Sequence, residues 1–129
     1  MGREEKITYW LTSAEKDWQV AGHLFEKGDY AYALFFGHLV LEKMLKALFA
    51  ARFDQAPPFS HRLVLLAEKV TLPLDQERLD VLEAVTDFNM EARYPDEKFS
   101  FQHRCTPEFT QTWLDQIEDM RRWLLQQIR

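Results

Sequence analysis

Cysteine is nearly absent: Cys105 stands alone among 129 residues. A lone thiol forms no internal disulfide, which excludes a small disulfide-stapled domain and points to a reducing, cytoplasmic setting. Glycine and proline are scarce, at four and five. That excludes collagen-like and low-complexity chains and leaves little turn chemistry for a loop-rich β-fold. No apolar run suits a bilayer. The longest, "FFGHLVLEKMLKAL" over 35–48, is broken by Glu42, Lys43 and Lys46, and charges at mid-span are costly in lipid. The opening "MGREEKITYW" has acidic residues where a secretory signal needs its apolar core, and lacks the hydroxyl residue of a myristoylation signal. Positive charge is not in excess either. A net charge of −5 argues against broad electrostatic binding to nucleic acid and leaves room only for a local basic patch. Walker, G-x-S-x-G and cysteine-based metal patterns are missing.

What is present is helical periodicity. Ile7, Leu11, Ala14, Trp18, Ala21 and Phe25 recur at steps of three and four, predicting a helix from about Glu4 to Lys27. Gly28 supplies a stop and Asp29 a carboxylate cap for a second helix over 30–52, which "DQAPPF" ends. Ser60 caps a short third helix over 61–70, and Asp75 a fourth through about Ala92. A loop, "RYPDEKFSFQHRC", follows. Thr106-Pro107-Glu108 then opens a fifth helix, whose stripe is Trp113, Ile117, Met120, Leu124 and Ile128. No segment alternates with period two. The fold predicted is all-α: one domain over 1–129, an up-and-down bundle of four main helices plus one short helix.

The second helix is apolar nearly all round. Leu34, Leu41, Leu45 and Leu48 share the core arc, while His38, Glu42 and Lys46 make a ridge at i, i+4 and i+8. Phe35, Leu39 and Phe49 lie beside that ridge. Such a helix is either fully buried or covered by another chain. The second face therefore reads as a homodimer or partner surface, with His38, Glu42 and Lys46 as its polar contacts. The competing reading packs the aromatics under neighbouring loops. His38 and Glu42 have the spacing to share a metal, but the other histidines offer no paired spacing, so neither metal nor cofactor is expected. His61, after Ser60, reads as a packing or capping residue rather than a base.

The richest polar stretch is "NMEARYPDEKFSFQHR", which gathers Arg93, Tyr94, Asp96, His103 and Arg104. Arginine offers a donor fork suited to phosphate, tyrosine a face on which a base can stack, and histidine an acid or base near neutral pH. Against this, Arg93 pairing with Asp96 or Glu91 would simply close the fourth helix.

Four segments in order resemble the HEPN-domain family, in the group of small single-domain prokaryotic members. They are "YWLTSAEKDWQVAGHLFEKGDYAYALFFGHLVLEKMLKAL", within it "HLVLEKMLKAL", then "SHRLVLL", then "NMEARYPD". The resemblance covers nearly the whole chain. It implies a dimerising helical bundle associated with nucleotides or RNA, often beside a small nucleotidyltransferase. Many HEPN proteins are metal-independent ribonucleases whose signature is Arg, four to six residues, then His. Here the positions five to seven after Arg93 are Lys98, Phe99 and Ser100, and His103 is ten residues on. The expectation is thus a binding protein in a toxin–antitoxin-like pair, holding phosphate through Arg93, Tyr94, His103, Arg104 and Lys43. The alternatives are a ribonuclease toxin using Arg93 and His103, and an accessory subunit without a small ligand.

Overall fold

Gly28, at φ +83°, ends the first helix, α1 (Arg3–Glu26), in a conformation that side chains with a Cβ resist. The Asp29 N–H reaches back to the Leu24 carbonyl at 2.8 Å, satisfying an orphan acceptor of the last turn. The chain then reverses into α2 (Tyr30–Phe53). The carboxylate of Asp29 does not cap α2 as expected; only its backbone carbonyl serves, accepting from Ala33 N–H at 2.9 Å. The reason is backbone geometry. Asp29 has ψ 64°, whereas Asp75, with ψ 172°, does accept from Arg78 N–H at 2.8 Å and caps α4 (Gln76–Arg93).

The structure, a computed structural model, describes residues 1–128 and contains no strand among them. The short α3 (Leu63–Lys69) starts two residues later than predicted: Ser60 Oγ accepts from Arg62 N–H at 3.0 Å, and His61 bonds to Glu42 and His38 instead. Thr106 accepts from Phe109 N–H at 3.1 Å and opens α6 (Pro107–Ile128) as its sequence predicts. One element is a correction. The stretch read as a continuous loop contains a further short helix, α5 (Ser100–Arg104), so the bundle has four long helices and two short ones. Asp96 starts it by accepting from Ser100 N–H at 2.8 Å, a bond that holds its carboxyl below the usual range.

At the centre lies α2, which touches α1, α3, α4, α5 and α6. Leu34, Leu41, Leu45 and Leu48 are fully buried, on the arc the periodicity assigned. Each contributes on the order of 2 kcal/mol of apolar burial. Gly37 allows α6 to come close: a Cβ there would sit 2.6 Å from Ile117 Cδ1. Phe101 of α5 is buried and stacks on Phe88, centroids 5.3 Å apart, tying the segment after α4 to the core. Cys105 is buried beside it, and burial pushes its thiol up to about 11. No helix is long and apolar enough to cross a membrane among the described residues.

Candidate functional site

The polar ridge of α2 points inward. His38, Glu42 and Lys46, expected as contacts to another chain, are only 0%, 4% and 8% exposed in the single protomer. The expectation placed these three side chains on a face open to another chain. Here the segment before α3 and Trp10 of α1 cover the ridge, and Glu42 bonds both Lys46 and His61. Lys46 Nζ donates to Glu42 Oε2 at 2.9 Å and lies 5.3 Å from the centre of the Trp10 ring. His61 Nδ1 donates to Glu42 Oε1 at 2.7 Å. His38 Nε2 donates to the His61 carbonyl at 2.7 Å.

These acceptors fix both tautomers. A carboxylate and a carbonyl only accept, so the protons lie on His61 Nδ1 and His38 Nε2. His38 Nδ1 is left buried without a hydrogen-bond partner, and so is Asn89 Oδ1 on α4. For Glu42, burial is the largest single influence and opposes ionisation. The hydrogen bonds from His61 and Lys46 together outweigh it and hold the carboxyl below its usual range. For His38, burial is again the largest influence, and it lowers the pKa despite the His61 carbonyl and the Glu42 charge. The Arg93 charge acts in the same direction, so the ring stays neutral at pH 7. His61 is the surface member: its side chain is 63% exposed while the carboxylate behind it is buried. It is neither a cap nor packing, and it was missed because Glu42 lies 19 residues away in sequence.

The second cluster lies at the other end of the α2–α4 seam. Arg93 ends α4, exposed, with its guanidinium 5.5 Å from the Phe35 ring centre and 5.2 Å from that of Tyr94. Its Nε donates to the Asn89 carbonyl at 3.3 Å. No carboxylate pairs with it among the described residues. Asp96 is occupied in starting α5, and Glu91 meets Arg104 at 3.4 Å. Arg104 also lies over Phe101 and Phe109. His103 and Tyr94 are exposed. No hydrogen bond joins Arg93 to His103 among the described residues. Lys43, expected beside Arg93, instead pairs with Asp17 of α1 at 2.7 Å, so its charge is answered on another side of α2. Phe35, Leu39 and Phe49 are half-buried; Phe35 and Phe49 pack against the core edge. Among the described residues no group of three or more His, Cys, Asp or Glu side chains is placed to hold a metal ion.

The family model described as the HEPN domain matches residues 7–128, nearly the whole chain. The chain belongs to the HEPN-domain family. No match is found among curated proteins or among solved structures. Membership ties this HEPN domain to nucleotide- and RNA-related function in general. Within the HEPN bundle, Arg93 and Tyr94 stand exposed side by side at the end of α4.

Proposed function

We propose that this HEPN domain binds a nucleotide or unpaired RNA at the Arg93–Arg104 segment. It would act as a homodimer beside a small nucleotidyltransferase, in a toxin–antitoxin-like pair. The observation that carries the binding reading is the state of Arg93. Its guanidinium lies close to two aromatic rings, Phe35 and Tyr94, and no carboxylate neutralises it among the described residues. A positioned fork of N–H donors suits a phosphate, and charge-assisted bonds of this kind are the stronger ones. Tyr94 adds a face for base stacking, and His103 and Arg104 follow on the short helix α5. With a net charge of −5, long-range attraction contributes little, so affinity rests on these close contacts. The half-buried Phe35, Leu39 and Phe49 support a second chain on the same side, since Phe35 already underlies Arg93.

Titration of the purified protein with AMP and with a short oligoribonucleotide tests the binding. Arg93→Ala should weaken it about tenfold or more. Thermal stabilisation by no nucleotide and no RNA would favour the accessory-subunit reading. For the dimer, light scattering at micromolar concentration should give twice the protomer mass, and Phe35→Asp should halve it.

A second reading, ribonuclease, is favoured by one feature. Helix α5 folds back onto α4, with Gln102 Nε2 donating to the Glu91 carbonyl at 3.3 Å and Phe101 on Phe88. That fold returns His103 toward the helix that ends in Arg93. In this reading Arg93 holds the scissile phosphate and His103 moves protons. RNA cleavage lost in both Arg93→Ala and His103→Ala would replace the first reading with it.

A further inference from the structure

The segment between α2 and α3 carries an aromatic that nothing in the fold uses. Phe59 is as exposed as a side chain can be, at 104% of its reference area. Leaving a phenylalanine in water forgoes the stabilisation that apolar burial would give. Its surroundings are not slack. Pro57 and Pro58 restrict the backbone before it. Lys6 Nζ holds the start of the segment at the Asp54 carbonyl and carboxylate, both at 3.3 Å. Ser60 Oγ accepts from Arg62 N–H at 3.0 Å. His61 is fixed twice, through its ring by Glu42 and through its carbonyl by His38, each at 2.7 Å. With Nδ1–H committed to Glu42, the free nitrogen Nε2 is the one left to meet a ligand. Arg62 is exposed, and no carboxylate pairs with it among the described residues. An aromatic face, an oriented imidazole and a guanidinium are thus held in four consecutive positions.

This cluster and the Arg93–Tyr94 cluster lie along one seam. Arg93 stands over Phe35, while Thr86 of α4 accepts from Leu63 N–H at 3.2 Å, next to the His61–Glu42 pair. Helices α2 and α4 therefore run antiparallel here. Along α4, Thr86, which meets the start of α3, and Arg93 stand about 10 Å apart at 1.5 Å per residue. That span suits a strand of roughly three or four nucleotides, at about 3.4 Å per stacked residue.

We propose that Phe59, His61 and Arg62 form a second contact for the same ligand, so that the site takes a short single-stranded RNA rather than a mononucleotide. Phe59 stacks a base, His61 Nε2 accepts from a base amino group or a 2′-hydroxyl, and Arg62 meets a phosphate. His61 is held by Glu42 and His38, so binding spends little on ordering that contact. The inference rests on the RNA-binding reading above.

Fluorescence anisotropy with labelled one-, two-, four- and eight-nucleotide RNAs tests it. The four-nucleotide ligand should bind at least about tenfold more tightly than the mononucleotide. Phe59→Ala should remove about tenfold of that gain and leave mononucleotide binding unchanged. Arg93→Ala should weaken every ligand. Failure of Phe59→Ala to alter four-nucleotide binding, with Arg93→Ala still effective, overturns this inference and spares the binding reading. Absence of binding by the wild-type chain overturns both. A change of mass for Phe59→Ala in light scattering would assign the ring to a protein contact and overturn the RNA assignment. Phe59 contributes no core packing, so the variant will fold, and a melting curve checks that.

Discussion

Two polar groupings of this HEPN domain look alike in sequence and behave oppositely in the fold. His38, Glu42 and Lys46 on α2 are buried and spend their hydrogen-bonding capacity on one another and on His61. Arg93, Tyr94, His103 and Arg104 are exposed, and Arg93 has no carboxylate partner among the described residues. The first grouping cannot be disturbed without a cost in stability. The second is open to solvent and can be altered with little effect on the fold; under the proposed function, its cost falls on ligand binding. Net polarity does not tell the two apart; the difference is whether a neighbouring segment covers the ridge and bonds to it, as His61 does here.

The contrast can be broken by substitution. Glu42→Ala should have the largest effect, since it strips the partner from both Lys46 and His61 in a buried setting. Breaking such a pair costs about 3–5 kcal/mol, which lowers the melting temperature on the order of 10 °C. A calorimetric scan in which Glu42→Ala melts with the wild type would remove the distinction.

Acid sharpens the contrast in two stages. His38 has a folded pKa below its ordinary value of 6.5, so the unfolded chain binds its proton first. The stability it contributes is complete above about 6.5 and is lost as pH falls toward the lowered value. Glu42, also lowered from 4.5, has its contribution complete above that ordinary value and loses it further down, as pH falls through its folded pKa. Urea midpoints should therefore decline in both windows, and His38→Gln should abolish only the upper decline.

On the exposed grouping the effects on stability are small. Arg93→Ala should change the urea midpoint little while weakening nucleotide or RNA binding. Arg104→Ala removes one surface contact to Glu91 and should cost at most about 0.5 kcal/mol. A loss of several kcal/mol there would mean that α5 depends on that ion pair.

Much of this architecture was legible from residue order. Gly28, Asp75 and Thr106 act through local geometry, and the leucine arc of α2 through a period of 3.6, so each could be read within a few residues. Helix α5 was not legible, because five residues show no period and its stability comes from Phe101 reaching the core. The Asp29 cap failed because a side-chain bond needs a backbone angle that composition does not report. The Glu42–His61 pair was invisible for another reason: its members lie 19 residues apart and meet only across the segment between α2 and α3. Arg93 and Tyr94 were legible as chemistry, since a fork of donors beside an aromatic keeps its meaning on an exposed segment.

The sealed position of Cys105 has a practical side. Thiol reagents attack the thiolate, and a sulfhydryl that is both shielded and hard to ionise reacts slowly. A single cysteine introduced at an open position such as 59 or 94 would take a dye or spin label with little background. Two such probes would measure directly how far apart the ends of the seam stand, with the native residue left in place.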